Sequence, residues 1–160
     1  MSTAQNAQQL AQTITDDIPR CESLVELLNS EREALKDKDI EQLETILKNK
    51  DLFLSQLESS ARLRAQLVST MSVNASPEET VEALIKNTHS DTLRSNWKKL
   101  KGLLKTCHEQ NEINGKIMSR NKKTYGKLLE ILRGQSQAPN LYTQKGAASA
   151  RSSGYQLGEA

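Results

Sequence analysis

The chain has 160 residues, 36% hydrophobic and only 3% aromatic, enough for one slender domain and too little for a thick globular core. Its net charge of +2 conceals a split, because residues 1–90 sum to −6 while residues 91–134, with eleven basic and four acidic side chains, sum to +7. No run of ~18 apolar residues spans a bilayer and no basic-then-apolar leader opens the chain, which sets the expectation of a soluble, cytoplasmic protein without membrane insertion.

In chain order, the first predicted helix places Leu10, Ile14, Cys21, Leu24, Leu28 and Leu35 on one stripe. Pro19 interrupts it, removing an amide donor and crowding the preceding turn. The stripe nevertheless keeps its phase from Ile14 to Cys21, so a kinked helix is expected rather than a fresh start. Asp37-Lys38-Asp39 reverses the chain, and Asp39 followed three residues later by Gln42 reads as a helix N-cap. The second helix carries Leu43, Leu47, Lys50, Leu54, Leu57, Ala61, Arg64, Val68 and Met71 at heptad spacing. Lys50 and Arg64 are cations on an apolar seam; their stems pack along it and their charges go to water or to an acidic neighbour. Ser76-Pro77-Glu78-Glu79 opens a short helix that reaches about Asn87.

A final helix is expected to run unbroken from Asp91 to Gly134, the latter a C-cap glycine. Its seam alternates spacings of four and three through Leu93, Trp97, Leu100, Leu104, Cys107, Asn111, Asn114, Met118, Asn121, Tyr125, Leu128 and Leu132. Asn111, Asn114 and Asn121 are the seam's specificity candidates. Either they are buried and paired, fixing register, or the seam is open there and presents a polar surface. Cys21 and Cys107 also fall on seams, where a free thiol serves as a small hydrophobe. The expected fold is therefore all-α: an elongated bundle of long antiparallel helices, three long and one short, over residues 1–134. A flexible tail, residues 135–160, follows. It is rich in small and polar residues, with Leu141, Tyr142, Tyr155 and Leu157 as isolated apolar hooks, and reads either as a frayed terminus or as a segment that orders on a partner.

The chain lacks the spacings that carry chemistry. It has no Cys-x-x-Cys or His-x-x-x-His pair, no phosphate loop and no nucleophile elbow. The expectation is no enzyme, no metal and no cofactor. The lysines and arginines of the last helix spread around its non-seam surface without interleaved aromatic residues, so no nucleic acid is expected; the acidic helices complement them instead.

Two long opening helices and a short connector lead to Asn111-Glu-Ile-Asn114, then Tyr125-Gly-Lys-Leu-Leu-Glu-Ile-Leu132, then Asn140-Leu-Tyr142-Thr-Gln-Lys-Gly146. In that arrangement the whole chain resembles the FlgN family of flagellar type III export chaperones. The resemblance implies a chaperone that binds the C-terminal helical regions of the hook-associated proteins FlgK and FlgL at the hook-filament junction. It would keep them from premature assembly and deliver them to the flagellar export gate. It further implies that cargo and gate are met by the C-terminal portion, here Leu128, Leu132, Leu141, Tyr142 and Gly146. Residues 147–160 match no motif of the family. Two other classes stay open on sequence alone: a structural coiled-coil subunit of a larger assembly, and a basic helical nucleic-acid binder. Whether two copies pair as a homodimer through exposed seam surface stays open too.

Overall fold

A computed structural model describes residues 3–71, 77–87 and 89–134 of the chain. The tail with Leu141, Tyr142 and Gly146, the loop with the Ser76 cap, and the side chain of Leu132 lie outside the described residues. Everything described is helix or tight connection: α1 (Thr3–Asp37), α2 (Ile40–Met71), α3 (Pro77–Asn87), α4 (Asp91–Arg120) and α5 (Lys122–Gly134).

The heptad seams explain the assembly. α1 is the shared element, packed along both α2 and α4. Asp17 meets Arg64 and Glu31 meets Lys50, so α2 runs antiparallel to α1. Cys21 meets Cys107 and Leu28 meets Asn114, so α4 runs parallel to α1; α2 brings the chain back towards the start of α1, and α3 packs on both α2 and α4 between them. The α1 helix is continuous through Pro19, which occupies an exposed position. At the α1–α2 turn, Lys38 takes a left-handed φ of 55°, and Asp39 N–H donates to Ala34 O at 3.0 Å, closing the helix as a C-terminal cap does. Asp39 then accepts from Gln42 N–H at 3.0 Å and starts α2, as its sequence position implies.

Two apolar clusters fill the rod. The larger draws Ile14, Cys21, Leu24 and Leu28 of α1 together with Leu57 and Val68, Val81 and Ile85, and Trp97, Leu100 and Cys107. The smaller closes the turn end with Leu35, Leu43, Leu47, Met118, Tyr125 and Leu128. Each fully buried Leu or Ile contributes about 1.5–3 kcal/mol relative to exposure. Within the larger cluster both cysteines are free and buried, and Cys107 Sγ donates to Cys21 O at 3.6 Å. The adjacent Cys107 thiol, together with burial, holds the Cys21 thiol far above its ordinary value. Thiol-specific labelling of the native protein should therefore be negligible on both cysteines and complete in denaturant; rapid labelling of either in the folded state would contradict this packing.

The unbroken helix expected over 91–134 is instead two helices. Asn121 leaves the helical region at φ −111°, ψ 43°, its N–H reaching back to Met118 O, and its own carbonyl accepts from Thr124 and Tyr125 as α5 begins. The physical reason lies in length. Met118 already packs beside Ala34 and Leu35 in the last turns of α1, so α4 has run out of α1 to lie along. The break carries the seam over to α2, against which α5 packs. A second irregularity inside α5, at Tyr125 (φ −108°, ψ 16°), seats that ring in the cluster.

Candidate functional site

The seams are not purely apolar, and their polar positions are ordered. On α1 the heptad 10-14-17-21-24-28-31-35 has acids at Asp17 and Glu31; on α2 the matching positions are Arg64 and Lys50. Both pairs are separated by two heptads, so antiparallel packing brings each acid onto a cation. Arg64 Nη1 donates to Asp17 Oδ2 at 2.5 Å, and Arg20 Nη1 donates to Asp17 Oδ1 at 3.0 Å and to Ser60 Oγ at 3.3 Å. Lys50 Nζ donates to Glu31 Oε1 at 2.8 Å. All four members of the two pairs are buried, where a missing partner is costly.

Two of the asparagines complete the second layer from α4. Asn114 is buried; its Nδ2 donates to Glu31 Oε2 and to Leu28 O, both at 2.8 Å, and its Oδ1 accepts from Arg32 Nε at 3.0 Å. Asn111, half-buried, accepts from Lys50 Nζ at 3.0 Å. Glu31 thus has one oxygen on α2 and the other on α4, and the layer ties all three long helices at one height. α2 and α4 make no close backbone approach among the described residues, and the length of Lys50 is what spans the gap. Asn121 behaves differently. It is exposed, and marks the end of α4 rather than a seam contact.

At the turn end, Tyr125 is fully buried and its hydroxyl donates to Leu35 O at 2.7 Å. That carbonyl belongs to the last turn of α1, where carbonyls lack helical donors. Burial raises the Tyr125 phenol above its ordinary value of 10.0. Leu128 packs beside it, only 1% exposed, so it anchors α5 from within. Tyr125→Phe should lower the urea midpoint by an amount equivalent to about 1–2 kcal/mol, the cost of orphaning a buried carbonyl. Wild-type stability should also fall as pH rises past ~10, where the unfolded phenol ionises and the buried one resists, a fall that Tyr125→Phe reduces.

Between the acidic and basic helices, Lys99 pairs with Glu22 at 2.8 Å and Lys101 pairs with Glu82. The Lys101 ammonium holds the Glu82 carboxyl below the usual carboxylate range. The sequence pattern marked Lys50 and Arg64 but passed over their partners Asp17 and Glu31, although the acids sit at the two heptad positions that the α1 stripe skips. It also treated Tyr125 as seam filler, and no pattern in the sequence announces its hydroxyl bond to Leu35. Among the described residues, no three His, Cys, Asp or Glu side chains converge as metal ligands, and no helix is long and apolar enough to cross a membrane.

The described residues form an all-α rod of three long helices crossed by two buried charged layers. A sequence model of the FlgN protein family matches residues 1–150, and the chain belongs to that family. It is similar to a Pseudomonas aeruginosa chain described as a flagella synthesis protein FlgN, whose crystal structure was determined at 1.48 Å. The two share 27% identity with a TM-score of 0.59, covering 76% of this chain and 94% of that one. A comparison with curated proteins returned no match.

Proposed function

We propose that this chain is a cytoplasmic flagellar export chaperone for hook-filament junction proteins of the FlgK and FlgL kind. It binds their C-terminal helical regions, keeps them from assembling early, and hands them to the flagellar type III export gate. Family membership over residues 1–150 carries the reading, and the likeness to a flagella synthesis protein supports the flagellar setting. No chemical step is assigned to the protein.

In this reading the rod is the scaffold and the C-terminal portion is the hand. Leu128 fixes α5 to the bundle, while Leu132 and, in the tail, Leu141, Tyr142 and Gly146 meet cargo or gate. Cargo helices that self-associate present an apolar stripe, and a polar segment with a few large side chains covers such a stripe at a cost in ordering entropy. The complex is then specific yet releasable without a nucleotide. The layer of Glu31, Lys50, Asn111 and Asn114 holds the scaffold in a single register, as buried polar groups do in helical seams. Binding of FlgK or FlgL C-terminal helices to full-length protein, and its loss when residues 135–160 are removed, is the test developed below.

A further inference from the structure

Between Glu112 and Glu130 the sequence has no acidic residue and five basic ones. In the first part of α4 the cations are engaged: Arg94 with Asp91, Lys99 with Glu22, Lys101 with Glu82 and Lys105 with Glu109, leaving Lys98 apart. Farther along, Lys116, Arg120, Lys123 and Lys127 are exposed, and none of them forms an ion pair with a described residue.

Their placement follows from the buried seam. Lys116 and Arg120 stand two residues on either side of Met118, and Lys123 and Lys127 two residues on either side of Tyr125; Met118 and Tyr125 are both fully buried. At about 100° per residue, a position two residues away lies about 160° round the helix. Lys116 and Arg120 therefore share the outward face of α4, and Lys123 and Lys127, exposed on either side of buried Tyr125 where α5 kinks, extend the exposed basic surface beyond the Asn121 break. Along one edge of it Ile113 is 43% exposed, one of two large hydrophobic side chains that stand out so among the described residues. Ile117, one turn on, is half-buried.

We propose that this ridge docks an acidic amphipathic helix of a protein partner. Cations one turn apart on each helix repeat the spacing of carboxylates along a partner helix, and Ile113 with Ile117 offers that helix an apolar edge beside the charged row. Charge excludes the chain's own tail as the occupant, since residues 135–160 carry two basic residues and one acidic. The ridge has no aromatic side chain on which nucleic-acid bases would stack. Two isoleucines are also too narrow an apolar face for burial in a bilayer interface. The inference uses no part of the tail and stands apart from the chaperone reading.

The test uses the full-length chain and a labelled synthetic helical peptide with glutamates at heptad spacing and leucines on the adjoining face, alongside a scrambled peptide of identical composition. Fluorescence anisotropy should show the patterned peptide binding about tenfold more tightly than the scrambled one, and weakening as salt rises. Reversing Lys116, Arg120, Lys123 and Lys127 to Glu should abolish that binding and create affinity for the lysine counterpart of the peptide. Glutamine at the same four sites should weaken binding with an unchanged thermal melt, and Ile113→Ser should weaken it several-fold with all charges kept. Equal affinity for patterned and scrambled peptides overturns the proposal. So does retention of binding by the charge-reversed protein, tighter binding to duplex DNA or phosphatidylserine vesicles through the same four residues, or self-association that those residues control.

Discussion

Glu31→Ala is expected to destabilise the bundle by about 3–5 kcal/mol, because it leaves the Lys50 ammonium buried without its carboxylate. The same change strips Asn114 Nδ2 of one of its two acceptors. Against a typical total of about 5–15 kcal/mol, that is enough to unfold a marginal protein at growth temperature. Urea denaturation followed by circular dichroism measures it, with Glu31→Gln as the milder variant should alanine prevent folding. Glu33→Ala is the control two residues away: its pair with Lys36 is largely exposed, and removing such a pair shifts stability by less than about 1 kcal/mol. Glu31→Leu combined with Lys50→Met should recover most of the loss, since a buried ion pair replaced by apolar residues of similar volume is often neutral. A Glu31→Ala loss below about 1 kcal/mol would mean that the charged layer does not bear on the fold.

Much of the architecture was readable before any coordinates. Heptad spacing located the seams, Asp39 with Gln42 located the start of α2, and the Ser76-Pro77-Glu78-Glu79 stretch matched a short helix that runs from Pro77 to Asn87. Periodicity failed at Asn121 for a physical reason. A seam pattern records which side of a helix is apolar, but not where the neighbouring helix ends, and α4 breaks where α1 ends. The seam resumes at Tyr125 and Leu128 in the old phase, so spacing alone could not register the interruption.

The polar residues were harder for a related reason. Asn111 and Asn114 were equally compatible with a paired interior and with an open surface, and only the positions of Glu31 and Lys50 on two other helices decide between them. The signal that could have decided it was present as two acids on α1 and two cations on α2, each pair separated by two heptads. Reading it requires the antiparallel register that brings Asp17 to Arg64 and Glu31 to Lys50.

The second large effect concerns function and should leave stability untouched. Among the described residues the buried clusters are built by side chains of the helices before Gly134, and those contacts remain when residues 135–160 are removed. Helical content and melting temperature of the shortened chain should match those of the full chain. Cargo capture, in contrast, should disappear, because the proposal puts the cargo-covering side chains Leu141 and Tyr142 in the segment removed. Substituting Tyr142 alone with alanine should cut affinity about tenfold or more, as loss of an aromatic anchor does in protein interfaces.

The most direct measurement is isothermal titration calorimetry of the C-terminal helical region of a FlgK-type hook-associated protein into the full chain and into residues 1–134. Saturable binding by the full chain, with a negative heat-capacity change from buried apolar surface and no detectable heat from the shortened chain, is the predicted result. Equal affinity for both would contradict the proposal that the tail holds the cargo, and no binding to either would contradict the chaperone function itself.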